Sequence, residues 1–271
     1  MLDAAEKQDS RPEKLPPFKP GDMASLIRRM RQFLADREER IQTCYAPCDV
    51  ALLEREFGFT ERKKGKADVI LAEDMAVELG HPSTASQAIV LSSYQPELVH
   101  HGRISIVGPD VYEIERTSRC PFGQVVMLAF RQGEAPDPFE IDNTQYLIRR
   151  LPGYMVRSVP GRLWARMSRK AQQAGLTMKT VGSALIAAYT CDFEAVEKVE
   201  VAFVTSCGED VEALAQIANE ATILAGKHKK LVLGVDGEVE CTKLDCESCE
   251  DKAVCDNLRD IVIKRRSRRQ S

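Results

Sequence analysis

The run KVEVAFVT, Lys198–Thr205, constrains this chain more than any other segment. Five of its eight residues are apolar and four are β-branched, which suits a strand in the middle of a sheet, covered on both faces. Helical patterns stand on either side of it. Upstream, Thr177 is placed as an N-cap ahead of Val181, Ala184, Leu185 and Ala188, which line one face. Downstream, Val211, Leu214, Ile217, Ala218, Ala221 and Ile223 form the apolar stripe of a helix that starts within Ser206–Asp210 and runs to Gly226. Short β-rich runs bounded by Gly, Pro and Ser predict further strands at Ala67–Leu71, Ala88–Leu91, Arg103–Val107, Gln124–Phe130 and Leu163–Met167. Phe139–Arg150 reads as a helix stopped by Pro152-Gly153, and Ser168 caps a short helix that ends at Gly175. The fold class is α/β, a mixed sheet flanked by helices.

Around this body the composition shifts. Residues 1–20 are polar and proline-rich, the signature of a flexible leader. Residues 21–64 read as a helical N-terminal segment. Asp22 caps a helix to about Ile41 on Met23, Leu26, Ile27, Met30, Phe33 and Leu34, and a second helix covers Asp49–Phe57 and ends at Gly58. A charged link, Thr60–Lys66, leads into the α/β domain, 65–235. Residues 236–271 form a cysteine-rich appendage, with a last helix from about Val254 into the basic tail KRRSRRQS. No apolar run approaches the roughly 20 residues that span a bilayer.

The appendage carries Cys241, Cys246, Cys249 and Cys255 in the pattern C-x4-C-x2-C-x5-C. Soft thiolates this close converge on one metal centre, an iron–sulfur cluster or tetrahedral zinc. A [4Fe–4S] cluster is the favoured occupant, with zinc as the alternative, because no histidine stands close by; His228 lies well upstream. A disulfide knot would need an oxidising compartment, whereas the start MLDAAEKQDS has no apolar export segment, so the expected location is the cytoplasm.

Charge points to a second site. The net charge is −3, yet no Asp or Glu occurs from Asn143 to Cys191. Arg157, Arg162, Trp164, Arg166, Arg169 and Lys170 fall within that stretch. Side chains alternate along a strand, so Arg162, Trp164 and Arg166 share one face if Leu163–Met167 is extended. Guanidinium forks meet phosphates bidentately and an indole stacks a base or a guanidinium. The competing reading is a solvated basic face that pairs with acids from elsewhere, with Trp164 in the core.

Four segments, VELG (Val77–Gly80), ISIVGPDV (Ile104–Val111), LWARMSRKAQQAGLTMKTVGSALI (Leu163–Ile186) and VEVAFVTS (Val199–Ser206), resemble the β subunit of the acetyl-CoA synthase/carbon monoxide dehydrogenase complex. The resemblance implies an α/β domain like the one that precedes the catalytic domain in that family. It also implies that arginines around a tryptophan, here Arg162, Trp164 and Arg166 with Arg169 and Lys170, bind coenzyme A or an acyl-CoA. Partner subunits of an anaerobic redox or acyl-CoA complex are implied with it. The family forms its carbon–carbon bond at a nickel centre on a further domain with a Cys-Gly-Cys motif. Here Cys207-Gly208 is followed by Glu209, so the expectation is an accessory role without a catalytic centre of its own.

The remaining candidates are weaker. Cys44 and Cys48 flank Pro47 and would need Cys120 or Cys207 to complete a second metal site; Cys191 is expected in the core. His100-His101 reads as a surface turn, and Asp110, Glu113 and Glu115 are candidates to pair with the arginine cluster. The basic tail lacks the aromatic residues of a nucleic-acid platform, so nucleic acid is not an expected partner.

Overall fold

The computed structural model describes residues 23–46, 50–59, 69–115, 119–133, 136–145, 151–159, 162–225, 232–233 and 239–240. In chain order its elements are α1 (Ala24–Ala35), β1 (Ile41–Tyr45), α2 (Val50–Phe57), β2 (Met75–Leu79), β3 (Ser86–Ser93), β4 (Arg103–Val107), β5 (Arg119–Cys120), β6 (Phe122–Phe130) and α3 (Pro138–Thr144). They continue with β7 (Tyr154–Val159), β8 (Arg162–Ser168), α4 (Arg169–Gln173), α5 (Met178–Asp192), β9 (Val196–Val204), α6 (Gly208–Ala213), α7 (Ala215–Leu224), β10 (Val232–Leu233) and β11 (Val239–Glu240). The chain divides into two units, Met1–Lys227 and His228–Ser271. Of the second, the described part is β10 paired antiparallel with β11.

The first unit is built on two mixed sheets. In the larger, of order β1-β4-β9-β6-β3, β9 lies between a parallel neighbour, β4, and an antiparallel one, β6. Its sequence alternates accordingly. Val199, Val201 and Phe203 enter one apolar layer with β6 residues Val126 and Leu128, while Ala202 and Val204 enter the other with Val125 and Met127. The first layer also takes Leu79, Leu163, Ala165 and Met167 from the second sheet and Val181 and Leu185 from α5. The opposite layer is closed by Leu26, Ile27 and Met30 of α1 and by Ile217 and Ala221 of α7. The second sheet has the order β5-β2-β8-β7, with β8 antiparallel to both β2 and β7.

Local signals held where they were strongest. The Thr177 hydroxyl accepts from the Thr180 amide, with Thr180 returning to Thr177 as a capping box, and Ser168 accepts from the Ala171 amide. Gly108 follows β4 at φ 106°, and a Cβ there would sit 2.5 Å from the Ser206 backbone nitrogen. Only glycine suits both that conformation and that approach. Beside it, the Asp110 carboxylate accepts from the amides of Val111 and Met178 and so anchors the start of α5.

Other expectations were corrected. Helix α1 stops at Ala35, where its apolar period ends, and Ile41–Tyr45 leaves the helix to become an edge strand antiparallel to β4. Asp22 lies outside the described residues, and Met23 occupies the N-cap position. No strand forms at Val69–Leu71, where Val69 is 73% and Leu71 is 52% exposed; the strand comes later, at Met75–Leu79. The helix after β9 is interrupted at Leu214, which ends α6 and starts α7. Helix α3 spans Pro138–Thr144, and residues 146–150 of the expected helix lie outside the described residues; β7 is a strand where none was expected.

Candidate functional site

The outer face of the second sheet gathers the arginines. Along β8, Leu163, Ala165 and Met167 are buried toward the core, and Arg162, Trp164 and Arg166 lie on the opposite face, as alternation requires. Strand β7 sets Arg157 directly across from Trp164, and β2 sets Glu78 across from Arg166. Strand β5 adds Arg119 across from Glu78.

Glu78 organises this face. Its Oε1 accepts from Arg166 Nε at 2.8 Å and from Trp164 Nε1 at 3.1 Å. Arg166 also donates to the Ile70 carbonyl at 3.0 Å, and its guanidinium lies 4.8 Å from the centre of the indole. Arg157 approaches the same ring at 5.5 Å, and the His81 ring meets it edge-on with centroids 6.2 Å apart. Trp164 is therefore in contact with two guanidinium groups and half-buried rather than in the core. Arg166 has its charge matched by Glu78, as the competing reading of the stretch expected, and its guanidinium rests against the indole.

Arg157, Arg162 and Arg119 differ. All three are exposed, and none forms an ion pair with a described carboxylate. Arg162 donates to the Thr84 carbonyl at 2.8 Å, and Arg119 donates to the Ser83 hydroxyl at 3.3 Å. Among the described residues no carboxylate compensates these charges, and uncompensated guanidinium groups add to a positive local field. Ser86 fixes the start of β8 from below: its hydroxyl donates to the Leu163 carbonyl and accepts from the Leu163 amide.

Arg169 and Lys170 leave this group. They begin α4 and line a cleft of about 710 Å³ together with Glu56, Ile70, Asp74 and Leu176. Arg169 donates to the Glu73 carbonyl, while its buried Nε has no partner among the described residues. Lys170 is exposed.

Two of the three acids expected to serve the arginines, Asp110 and Glu113, serve other groups. Asp110 holds the start of α5, and Glu113 accepts from Gln42 and from the Asp110 amide. Burial pushes the Asp110 carboxyl above the usual carboxylate range, against the pull of the Met178 and Val111 amides. Glu78 and Arg119 were not among the predicted site residues. A lone acid inside the apolar strand Met75–Leu79 was the signal for Glu78, since a buried charge needs a partner.

The cysteines separate as well. Cys241, Cys246, Cys249, Cys255 and Cys48 lie outside the described residues, as does the basic tail. Burial pushes the Cys120 thiol up to about 11, and its Sγ faces the carbonyls of Pro121 and Thr205. Burial also raises the half-buried Cys44 thiol, partly offset by Lys179. Among the described residues no three His, Cys, Asp or Glu side chains are grouped to hold a metal. Cys191, expected in the core, is exposed near the end of α5. His100 and His101 form the expected surface turn, in which the His101 ring accepts from the Val199 amide.

These features define an α/β domain whose second sheet presents guanidinium groups around a single indole. The profile of the CO dehydrogenase/acetyl-CoA synthase complex beta subunit family matches residues 63–210, and the chain belongs to that family. The match takes in the whole arginine face and ends before the four C-terminal cysteines. The acetyl-CoA decarbonylase/synthase complex subunit beta of Methanopyrus kandleri is 27% identical over 194 residues, 69% of this chain and 40% of that protein. Its namesake in Methanothermobacter thermautotrophicus is 24% identical over 187 residues, with the same coverage of each chain. The one from Archaeoglobus fulgidus is 24% identical over 169 residues, 62% of this chain and 31% of that protein. The chain thus spans less than half the length of these relatives. Among the described residues no helix is long and apolar enough to cross a membrane.

Proposed function

We propose that this chain is a coenzyme-A-binding, iron–sulfur member of its family that works in the cytoplasm as a subunit of a larger complex in anaerobic acetyl-CoA or one-carbon metabolism. The observation that carries the coenzyme A reading is the outer face of the second sheet. There Arg119, Arg157 and Arg162 stand exposed around a half-buried Trp164 that Glu78 and Arg166 hold in place. Coenzyme A offers phosphates to such arginines and an adenine to such a ring. The relatives are named as subunits of a complex, which supports the same role here. Cys241, Cys246, Cys249 and Cys255 are a donor set that suits a [4Fe–4S] cluster. With every ligand position taken by a thiolate, the cluster would supply electron transfer or a docking surface rather than Lewis-acid chemistry.

Coenzyme A is expected to quench the fluorescence of Trp164, the single tryptophan. Arg157→Ala removes a charged hydrogen-bond donor worth about 1.5–3 kcal/mol, so affinity should fall roughly ten- to a hundred-fold. Lysine at the same position should restore only part of it, because a point charge does not reproduce the fork. Absence of both quenching and heat at millimolar coenzyme A would overturn the reading and leave the face as a docking surface for an acidic protein.

The metal is tested independently. Anaerobically purified protein is expected to contain about four iron and four sulfide per chain, lost on Cys246→Ser or Cys249→Ser. Stoichiometric zinc without labile sulfide would instead make the appendage a structural site in a scaffold.

A further inference from the structure

The cleft at the end of β8 has no part in the reading above. Its volume, about 710 Å³, lies in the range of small-molecule pockets, ~300–1,000 Å³. Val69, Ile70, Pro152 and Leu176 supply apolar surface, and Val69 spends 73% of its own surface in solvent. The charged residues of the lining balance: Arg169 and Lys170 are set against Glu56 and Asp74. A polyanion would meet two carboxylates there. An uncharged ligand with amide groups and apolar carbons meets donors, acceptors and apolar walls together.

The cleft continues the arginine face. Ser168, which lines it, lies on β8 at the same alternation as Arg162, Trp164 and Arg166. Ile70 joins the two regions, since it lines the cleft while its carbonyl accepts from Arg166. At ~3.3 Å per residue, Trp164 and Ser168 are about 13 Å apart along the strand. The pantetheine arm of coenzyme A has about as many backbone bonds as four extended residues, hence a reach of roughly 14 Å. It is also uncharged, with two amides and a branched apolar centre.

We infer that the cleft holds the pantetheine arm while the nucleotide phosphates lie on the arginine face; this rests on the coenzyme A reading. The arm then crosses the Ile70–Arg166 junction, and the thiol ends beside α4, away from Trp164.

Calorimetric titration of the whole chain with coenzyme A, adenosine 3′,5′-bisphosphate and pantetheine tests this. Coenzyme A is expected to bind about tenfold or more tightly than the bisphosphate, a difference of ~1.4 kcal/mol per tenfold. Ala174→Phe and Val69→Phe, both at exposed positions on the cleft, should bring coenzyme A down to the level of the bisphosphate and leave the bisphosphate unchanged. Pantetheine should compete with coenzyme A in the parent and not in these variants. If the bisphosphate and coenzyme A bind equally, or if both variants bind coenzyme A like the parent, the cleft plays no part and the arginine-face reading stands. If neither ligand binds the parent, both readings fall.

Discussion

Glu200→Ala is expected to lower the unfolding free energy by about 3–5 kcal/mol, the cost of removing one partner from a buried ion pair. Glu200 lies on β9, the central strand, and its side chain is 0% exposed. Oε2 takes Arg31 of α1 at 2.6 Å and the His100 amide at 2.8 Å, while Oε1 takes Arg103 of β4 at 2.6–2.7 Å. One carboxylate thus ties a helix, a neighbouring strand and a turn to the centre of the larger sheet. Without it, two guanidinium groups remain that keep only 23% and 22% of their surface in water. Urea titration of the variant should show a lower midpoint with an unchanged slope, since the same surface is exposed on unfolding. A loss below about 1 kcal/mol, the scale of an exposed pair, would show that the site is far more solvated than its geometry indicates.

What was legible in the sequence depended on how local the determinant is. The β9 run, the Thr177 and Ser168 caps and the alternation along β8 are fixed by residues within a few positions of one another, and each was found where expected. Edge and short strands were harder. Residues Ile41–Tyr45 carry no apolar alternation, because the strand is partly exposed on both faces and is held by its backbone pairing with β4. Strand β5 is only two residues long and exists through its register with Glu78 and Leu79. Val69 and Leu71 are apolar but exposed and outside any sheet, and Val69 lines a cleft instead.

The candidate site follows the same division. Spacing on β8 placed Arg162, Trp164 and Arg166 together. It could not tell which guanidinium would be neutralised, because Glu78 arrives on β2, which pairs with β8, and Arg119 on β5, which pairs with β2, and neither pairing is local. The four motif segments meet in space for equally specific reasons. Glu78 of VELG binds Arg166 and Trp164 of LWARMS, and Asp110 of ISIVGPDV binds the Met178 amide. Gly108 backs onto Ser206 at the end of VEVAFVTS. Each segment contributes a contact that another segment needs.

The Glu78–Arg166–Trp164 contact yields the second large effect. Glu78 keeps 7% of its side-chain surface and Arg166 keeps 20%, so little water is available to replace a missing partner. Glu78→Ala is expected to destabilise the fold by about 3–5 kcal/mol and Arg166→Ala by a similar amount, because each leaves a buried charge uncompensated. The double variant should cost less than the sum of the two, since no charge is then left alone, with a coupling energy of about 0.5–3 kcal/mol. Trp164 reports the geometry separately. Loss of the Glu78 acceptor frees its Nε1–H, and the indole should move toward solvent, with emission shifted to the red in Glu78→Ala. In Glu78→Gln a neutral oxygen can still accept from Trp164 Nε1, so the emission should remain near that of the parent while the ion pair with Arg166 is lost. Additivity of the two alanine variants, with coupling under about 0.5 kcal/mol, would mean that carboxylate and guanidinium act independently. The indole would then owe its position to packing against Arg157 and His81 rather than to the charge beneath it.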